Sequence, residues 1–410
     1  PLAAPTLAPA VQEAPRVSGR VSSVLLCEEG TDDITSLEGS SSNSLLRKGG
    51  PRRLAKTART PYQKFMAEQV KVDMARNKAP PSQRAKDRAQ AYLVKAQKPK
   101  AQASEAQLRA HGVRRCGTWR REVARSHVTK PGANASRYWA LSVNGLGVGF
   151  PLNDVAVARG IRPLGVAGSR ARLQSVLRDC MCSGDVLKIV VLGSSMTFGH
   201  GLPMGALPWP GLLEELFASA DIGVRVEVDN MGTPGASSAI PMGHWNNIKA
   251  RIAYAHVVIL DFAVTDRLDA IGRPQGMFGR TAKGIQHVYG QLLGLIASLK
   301  SRPAVLDLET QSGTNRSLCD MNITEYPHGQ VLLEKEIPVV SFSEAVCPAG
   351  HTFWNHDTLD EAGYSLPDPG PIPHPGLMTH DLVSRLILAA FLDALEGACE
   401  TIGEAGEAAH

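Results

Sequence analysis

Ser195 lies in the stretch DVLKIVVLGSSMTFGHG, Asp185–Gly201, directly after the aliphatic run Leu187–Leu192. In open α/β sheets ligands bind at the carboxyl ends of the strands, so a serine placed there can act as a nucleophile. The Gly193-Ser194-Ser195 turn also reads as a strand-to-helix connection with a serine cap. It is not a phosphate loop, which needs G-x-x-x-x-G-K-[ST], nor a G-x-S-x-G elbow, because residue 197 is Thr.

Three other segments can join Ser195. Asn230–Gly235, NMGTPG, follows a second strand-like run and can bring a backbone N–H to a developing oxyanion. Asp261-Phe-Ala-Val-Thr265-Asp266 follows a third. His374-Pro375 precedes a terminal helix, and an imidazole there can take the serine proton. Asp368 and Asp357 are the upstream carboxylates able to orient it. Pro375 also suits a first helical turn, so His374 can be read as a helix-start residue as well. His351, His356, His374 and His380 with Cys347 match no standard metal spacing, and no metal or organic cofactor is implied. Trp209 and Trp354 read as pocket walls or core.

These segments need a scaffold. Aliphatic strands are predicted at Val186–Leu192, 223–229, 256–262, 304–309 and 339–342. Helices are predicted at Ala171–Met181, 205–219, 246–254, 281–299 and 376–396. Strands alternating with helices of this length specify a three-layer α/β/α sandwich over residues 185–397, with a mainly parallel sheet of about five strands.

The remainder of the chain differs. Residues 1–55 are rich in Pro, Ala, Ser and Gly and read as an extended or disordered tail. Residues 56–112 read as a basic helical hairpin, broken at Ala79-Pro80-Pro81-Ser82. Through Arg59, Thr60, Pro61, Tyr62 and Phe65 this pair resembles the helical part of HMG-box and YABBY domains. Residues 113–184 read as a connector and 398–410 as a C-terminal tail. Between 47 and 130, 23 Lys and Arg face five carboxylates in a chain of net charge +5. That excess can attract RNA, DNA or an acidic partner; the same residues can instead form a helical hairpin resting on the acidic remainder of their own chain.

The seven cysteines contain no C-x-x-C pair. Their odd count and irregular spacing give no disulfide framework; Cys319 and Cys347 can pair but nothing in the spacing requires it, and Cys180 and Cys182 read as two thiols at a helix end. Sequons occur at Asn134, Asn315 and Asn322. No window of about 18 apolar residues predicts a membrane span. A start at Pro1 reads as a processed or partial chain, with organellar and secretory compartments both open.

Taken in order, the four segments resemble those of the SGNH, or GDSL, hydrolases. In that family G-D-S follows the first strand, a glycine the second, G-x-N-D the third, and D-x-x-H lies near the C-terminus. Here Gly193-Ser194-Ser195 continues with Thr197 and Gly199 as S-x-T-x-G, and Gly235 corresponds to the oxyanion glycine. Ala263-Val264-Thr265-Asp266 is the third block. His374-Pro375 followed by His380 is spaced as in H-P-N-x-x-G-H. The resemblance covers residues 185–396 and is greatest to algal and plant members. It departs at Ser194 for Asp, Ala263 for Gly and Thr265 for Asn, and Pro371 stands where the family's Asp would be.

The resemblance implies a serine esterase acting on carbohydrate O-acetyl groups or lipid esters. Ser195 would be nucleophile, His374 base and Asp368 or Asp357 its orienting carboxylate. The oxyanion would meet Ser195, Gly235 and Thr265. The alternative is a catalytically impaired domain serving as a structural or binding subunit of a larger assembly. The Ser195–His374 distance separates the two.

Overall fold

The computed structural model describes residues 104–131, 150–161, 170–202, 205–270, 281–310, 328–347 and 374–407. The chain divides into two compact units, Pro1–Ser104 and Glu105–His410. The tail, residues 56–103 of the basic hairpin with its HMG-box resemblance, Asp357, Asp368, Pro371, Trp354, Cys319, His351 and His356 lie outside the described residues.

The core is a five-stranded sheet: β1 (Leu187–Gly193), β2 (Val226–Asn230), β3 (Val257–Asp261), β4 (Ala304–Glu309) and β5 (Val339–Ser341). Its order is β2-β1-β3-β4-β5, with every neighbouring pair parallel. All five predicted strands are present. β4 has its predicted bounds, whereas β2 begins three residues later than 223.

The helices, in chain order, are α1 (Glu105–Thr118), α2 (Arg121–Thr129), α3 (Asp154–Ile161), α4 (Ala171–Ser183), α5 (Ser195–Phe198), α6 (Trp209–Ala220), α7 (Ala239–Gly243), α8 (Trp245–Ile252), α9 (Ala263–Ala270), α10 (Ala282–Ala297), α11 (Gly329–Glu334), α12 (Phe342–Val346) and α13 (Leu377–Glu407). Strand alternation sends Val190, Leu192, Val258, Leu260 and Val339 to one face of the sheet, where they pack with Leu292, Leu293 and Ile296 of α10. On the other side α13 packs against α6 and α4 and reaches β5. The result is the three-layer α/β arrangement expected from the alternation of strands and helices. Among the described residues no helix is long and apolar enough to cross a membrane.

Several boundaries need correction. The predicted helix at 205–219 starts only at Trp209, because Pro208 stands at its cap and Pro210 in its first turn, where a missing N–H is harmless. The stretch read as a connector contains α2, α3 and the end of α1 as well as the helix predicted at Ala171–Met181, which is α4. The stretch read as a C-terminal tail continues α13 to Glu407.

A disulfide joins Cys116 of α1 to Cys399 of α13, contrary to the expectation from spacing. Cys347 is also disulfide-bonded, which removes its thiolate from any metal reading. Cys180 and Cys182 are buried thiols near the end of α4, and burial pushes Cys180 up to about 12.

The basic residues of α1 and α2 serve this packing. Arg115 donates to the carbonyls of Cys180 and Met181, capping α4 from outside. Arg121 and Arg125 pair with Glu396 of α13. The buried Arg385 donates to the carbonyls of His127 and Lys130 at the end of α2 and to Asp381 Oδ2. Part of the basic segment thus rests on its own chain.

Candidate active site

Ser195 opens the short helix α5, immediately beyond β1. The turn is tight because Thr197 folds back beneath it. A Cβ on Gly193 would lie 2.0 Å from Thr197 Oγ1, so glycine is required there. Thr197 Oγ1 donates to Asp261 Oδ2 at the end of β3. Asn230 Nδ2, at the end of β2, donates to the Thr197 carbonyl at 2.7 Å. The turn that carries Ser195 is therefore tied to the strand on each side of β1.

His374 lies three residues before α13, and its Nε2 is 2.9 Å from Ser195 Oγ. With its proton on Nδ1, the imidazole accepts the serine hydroxyl hydrogen. His200 packs edge-on against His374, with ring centroids 4.5 Å apart, and its backbone N–H donates to the Ser195 carbonyl at 2.9 Å. Gly201 follows with φ +86°, and a Cβ there would lie 3.0 Å from that of His374. The pattern S-x-T-x-G includes Gly199 but gave no reason to single out His200 or Gly201.

Gly235, in the loop after β2, and Thr265, in the first turn of α9 after β3, flank Ser195. The register pairs Val191 with Asn230 and Gly193 with Asp261. The segment reaching Gly235, with φ +72°, and the first turn of α9 holding Thr265 therefore leave the same end of the sheet as Ser195. Of the expected site residues, Ser195 and His374 meet directly, and Gly235 and Thr265 share their sheet edge.

Trp209 is fully buried and belongs to the support. Its indole N–H donates to Asp261 Oδ2 at 3.3 Å, and its backbone N–H donates to His380 Nδ1 at 3.1 Å. Burial pushes Asp261 up to about 6, against the hydrogen bonds from Thr197, Thr310 and Trp209. Burial, with the nearby His374, pushes His380 down to about 3, so His380 is neutral and accepts the Trp209 N–H at ordinary pH.

Beside this lies a buried ionic network. His328 reaches Asp266 and Glu309, while Tyr289 donates to Asp307. Asp307, Glu309 and His328 hold ligand-type atoms within 4.8 Å of one another, but both His328 nitrogens are engaged with carboxylates. Burial, with the neighbouring Glu309 charge, holds Asp307 well above the usual carboxylate range.

No family model matches the chain, and a search of curated proteins finds no match. Solved structures do match. A two-domain esterase active on acetylated mannans is 21% identical over 58% of this chain and 56% of its own, with a TM-score of 0.42. Esterase EstA from Pseudoalteromonas sp. is 14% identical over 52% of this chain and 97% of its own, TM-score 0.36. The acetylxylan esterase Axe2 from Geobacillus stearothermophilus, as a catalytic mutant, is 15% identical over 50% and 93%, TM-score 0.37. The chain spans little more than half the length of the mannan-active esterase.

Proposed function

We propose that the chain is a serine ester hydrolase of the SGNH/GDSL kind, acting on O-acetyl groups of carbohydrate or on lipid esters. The observation that carries this reading is the 2.9 Å approach of His374 Nε2 to Ser195 Oγ, which favours an enzyme over a domain retained only for binding.

Ser195 Oγ attacks the acyl carbon while His374 Nε2 takes its proton. The carbonyl oxygen becomes an oxyanion held by the N–H groups of Ser195 and Gly235 and the hydroxyl of Thr265. Collapse breaks the ester C–O bond, and His374 returns the proton to the leaving alcohol. Water, activated by the same imidazole, then hydrolyses the acyl-enzyme. Asp368 or Asp357 orients His374, and the chemistry needs no metal or organic cofactor. A Thr hydroxyl is a shorter donor than the Asn amide it replaces. One such donor is worth about 3–4 kcal/mol of transition-state stabilisation, so turnover is expected to be modest.

Steady-state hydrolysis of p-nitrophenyl acetate and of an acetylated polysaccharide tests the reading. Ser195→Ala and His374→Ala should each lower kcat by about a thousandfold or more. Hydrolysis that survives in both variants would overturn it.

A further inference from the structure

We infer that His328 and Asp266 form a positioning pair for the oxyanion side of the Ser195 site, joining the Gly235 loop to the Thr265 turn. The inference rests on the esterase reading above and assigns a role to two buried residues which that mechanism does not use.

One carboxylate makes the connection. Asp266 follows Thr265 in the first turn of α9. Its Oδ1 accepts the N–H of Ser238 at 3.0 Å, and Ser238 lies three residues beyond Gly235. Its Oδ2 lies 2.8 Å from His328 Nε2. The Thr265 donor and the segment that carries the Gly235 donor are thereby tied to a single side chain.

His328 fixes that side chain in turn. Its Nδ1 is 3.3 Å from Glu309 Oε1 at the end of β4, and its ring stacks on Tyr289 at a centroid distance of 3.8 Å. Carboxylate oxygens only accept, so a ring facing one on each nitrogen satisfies both as the imidazolium. His328 and Asp266 are each 1% exposed and Glu309 is fully buried. Burial alone would lower the imidazole pKa. The hydrogen bonds and charges of Asp266 and Glu309 outweigh it and raise His328 to about 10.

A buried carboxylate that loses its cation reprotonates or turns toward another donor. Either response loosens Asp266 from Ser238 and displaces the Gly235 N–H from the oxyanion. Misplacement on the scale of an ångström can cost about a hundredfold in rate.

The test compares the wild-type chain with His328→Gln and Asp266→Asn. The second variant keeps side-chain volume but has a single acceptor oxygen, so it can accept from Ser238 or from the His328 imidazolium but not from both, and it serves if the first fails to fold. Three quantities are measured: ester kcat and KM, inhibition by a trifluoromethyl ketone, and the end-point stoichiometry of Ser195 labelling by a fluorophosphonate. The ketone forms a hemiketal whose oxyanion occupies the same donors. Positioning predicts kcat lower by about 10- to 100-fold with KM within about threefold, Ki rising in parallel with the loss of kcat/KM, and labelling still complete.

Unchanged kcat would overturn the proposal. So would a loss of kcat matched by lost labelling with an unchanged Ki, or failure of both variants to fold, since each assigns the pair to folding alone. A wild-type chain that neither hydrolyses ester nor labels would remove the esterase reading and this role together. An active wild type with unaltered variants would remove this role only.

Discussion

Thr197 Oγ1 donates to Asp261 Oδ2, joining the turn that carries Ser195 to the end of β3. Asp261 also accepts from Thr310 Oγ1 at 3.1 Å and from the Trp209 indole. Three donors therefore face one buried carboxyl group, which sets the height of the Ser195 turn above the sheet.

Removing one donor should be felt in both stability and rate. Thr197→Val keeps the branched shape and deletes the hydroxyl, so unfolding in urea should show a loss of about 1–3 kcal/mol. Asp261 adds a pH dependence. Its folded pKa of about 6 lies above the ordinary 3.8, so the folded chain holds this proton more tightly than the unfolded one. Its contribution to stability is present at acid pH and declines as pH rises from about 4 through 6. Asp261→Asn should flatten that decline, by about 1–3 kcal/mol over the window, in urea titrations at pH 4, 5, 6 and 7. A wild-type-minus-variant difference independent of pH would contradict this.

Gly201→Ala tests the wall behind His374. The new methyl group meets His374 Cβ at 3.0 Å and forces a side chain into φ +86°. The imidazole should shift away from Ser195, lowering kcat about 10- to 100-fold. A circular dichroism melt guards against general unfolding. An unchanged kcat would show that this contact does not place the base.

The Cys116–Cys399 bridge closes a loop spanning 283 residues and ties α1 to α13. Replacing both cysteines by serine should cost about 2–5 kcal/mol, read as a lower Tm. Dithiothreitol should lower the wild-type Tm toward that of the variant.

The sheet was legible in the sequence because aliphatic runs such as VVILDF and AVLDLE signal buried strands by short-range composition alone. Ser195 and His374 were legible for a related reason: each sits at the end of an element whose limits its neighbours mark. The support beneath them was not. Asp261 and Asp307 look like strand residues of the wrong polarity until Thr197, Trp209 and Tyr289, all distant in sequence, are folded onto them. His328 carries no local pattern, and its partners Asp266 and Glu309 come from separate elements. Cys116 and Cys399 have no motif between them. α13 runs past the predicted end at 396 to Glu407. A Cβ on Gly397 would lie 2.3 Å from Gln174 Nε2, so the glycine admits that side chain of α4 and the helix continues.

The central claim, that Ser195 is a nucleophile activated by His374, is tested most directly by a fluorophosphonate probe. The chain is incubated with the probe, digested, and the modified peptide identified by mass spectrometry. The account predicts a single adduct on Ser195, formed quickly in the wild type and at least about a hundredfold more slowly in His374→Ala. An unlabelled Ser195 under conditions where a control serine hydrolase reacts fully, or equal labelling with and without the His374 imidazole, would contradict it.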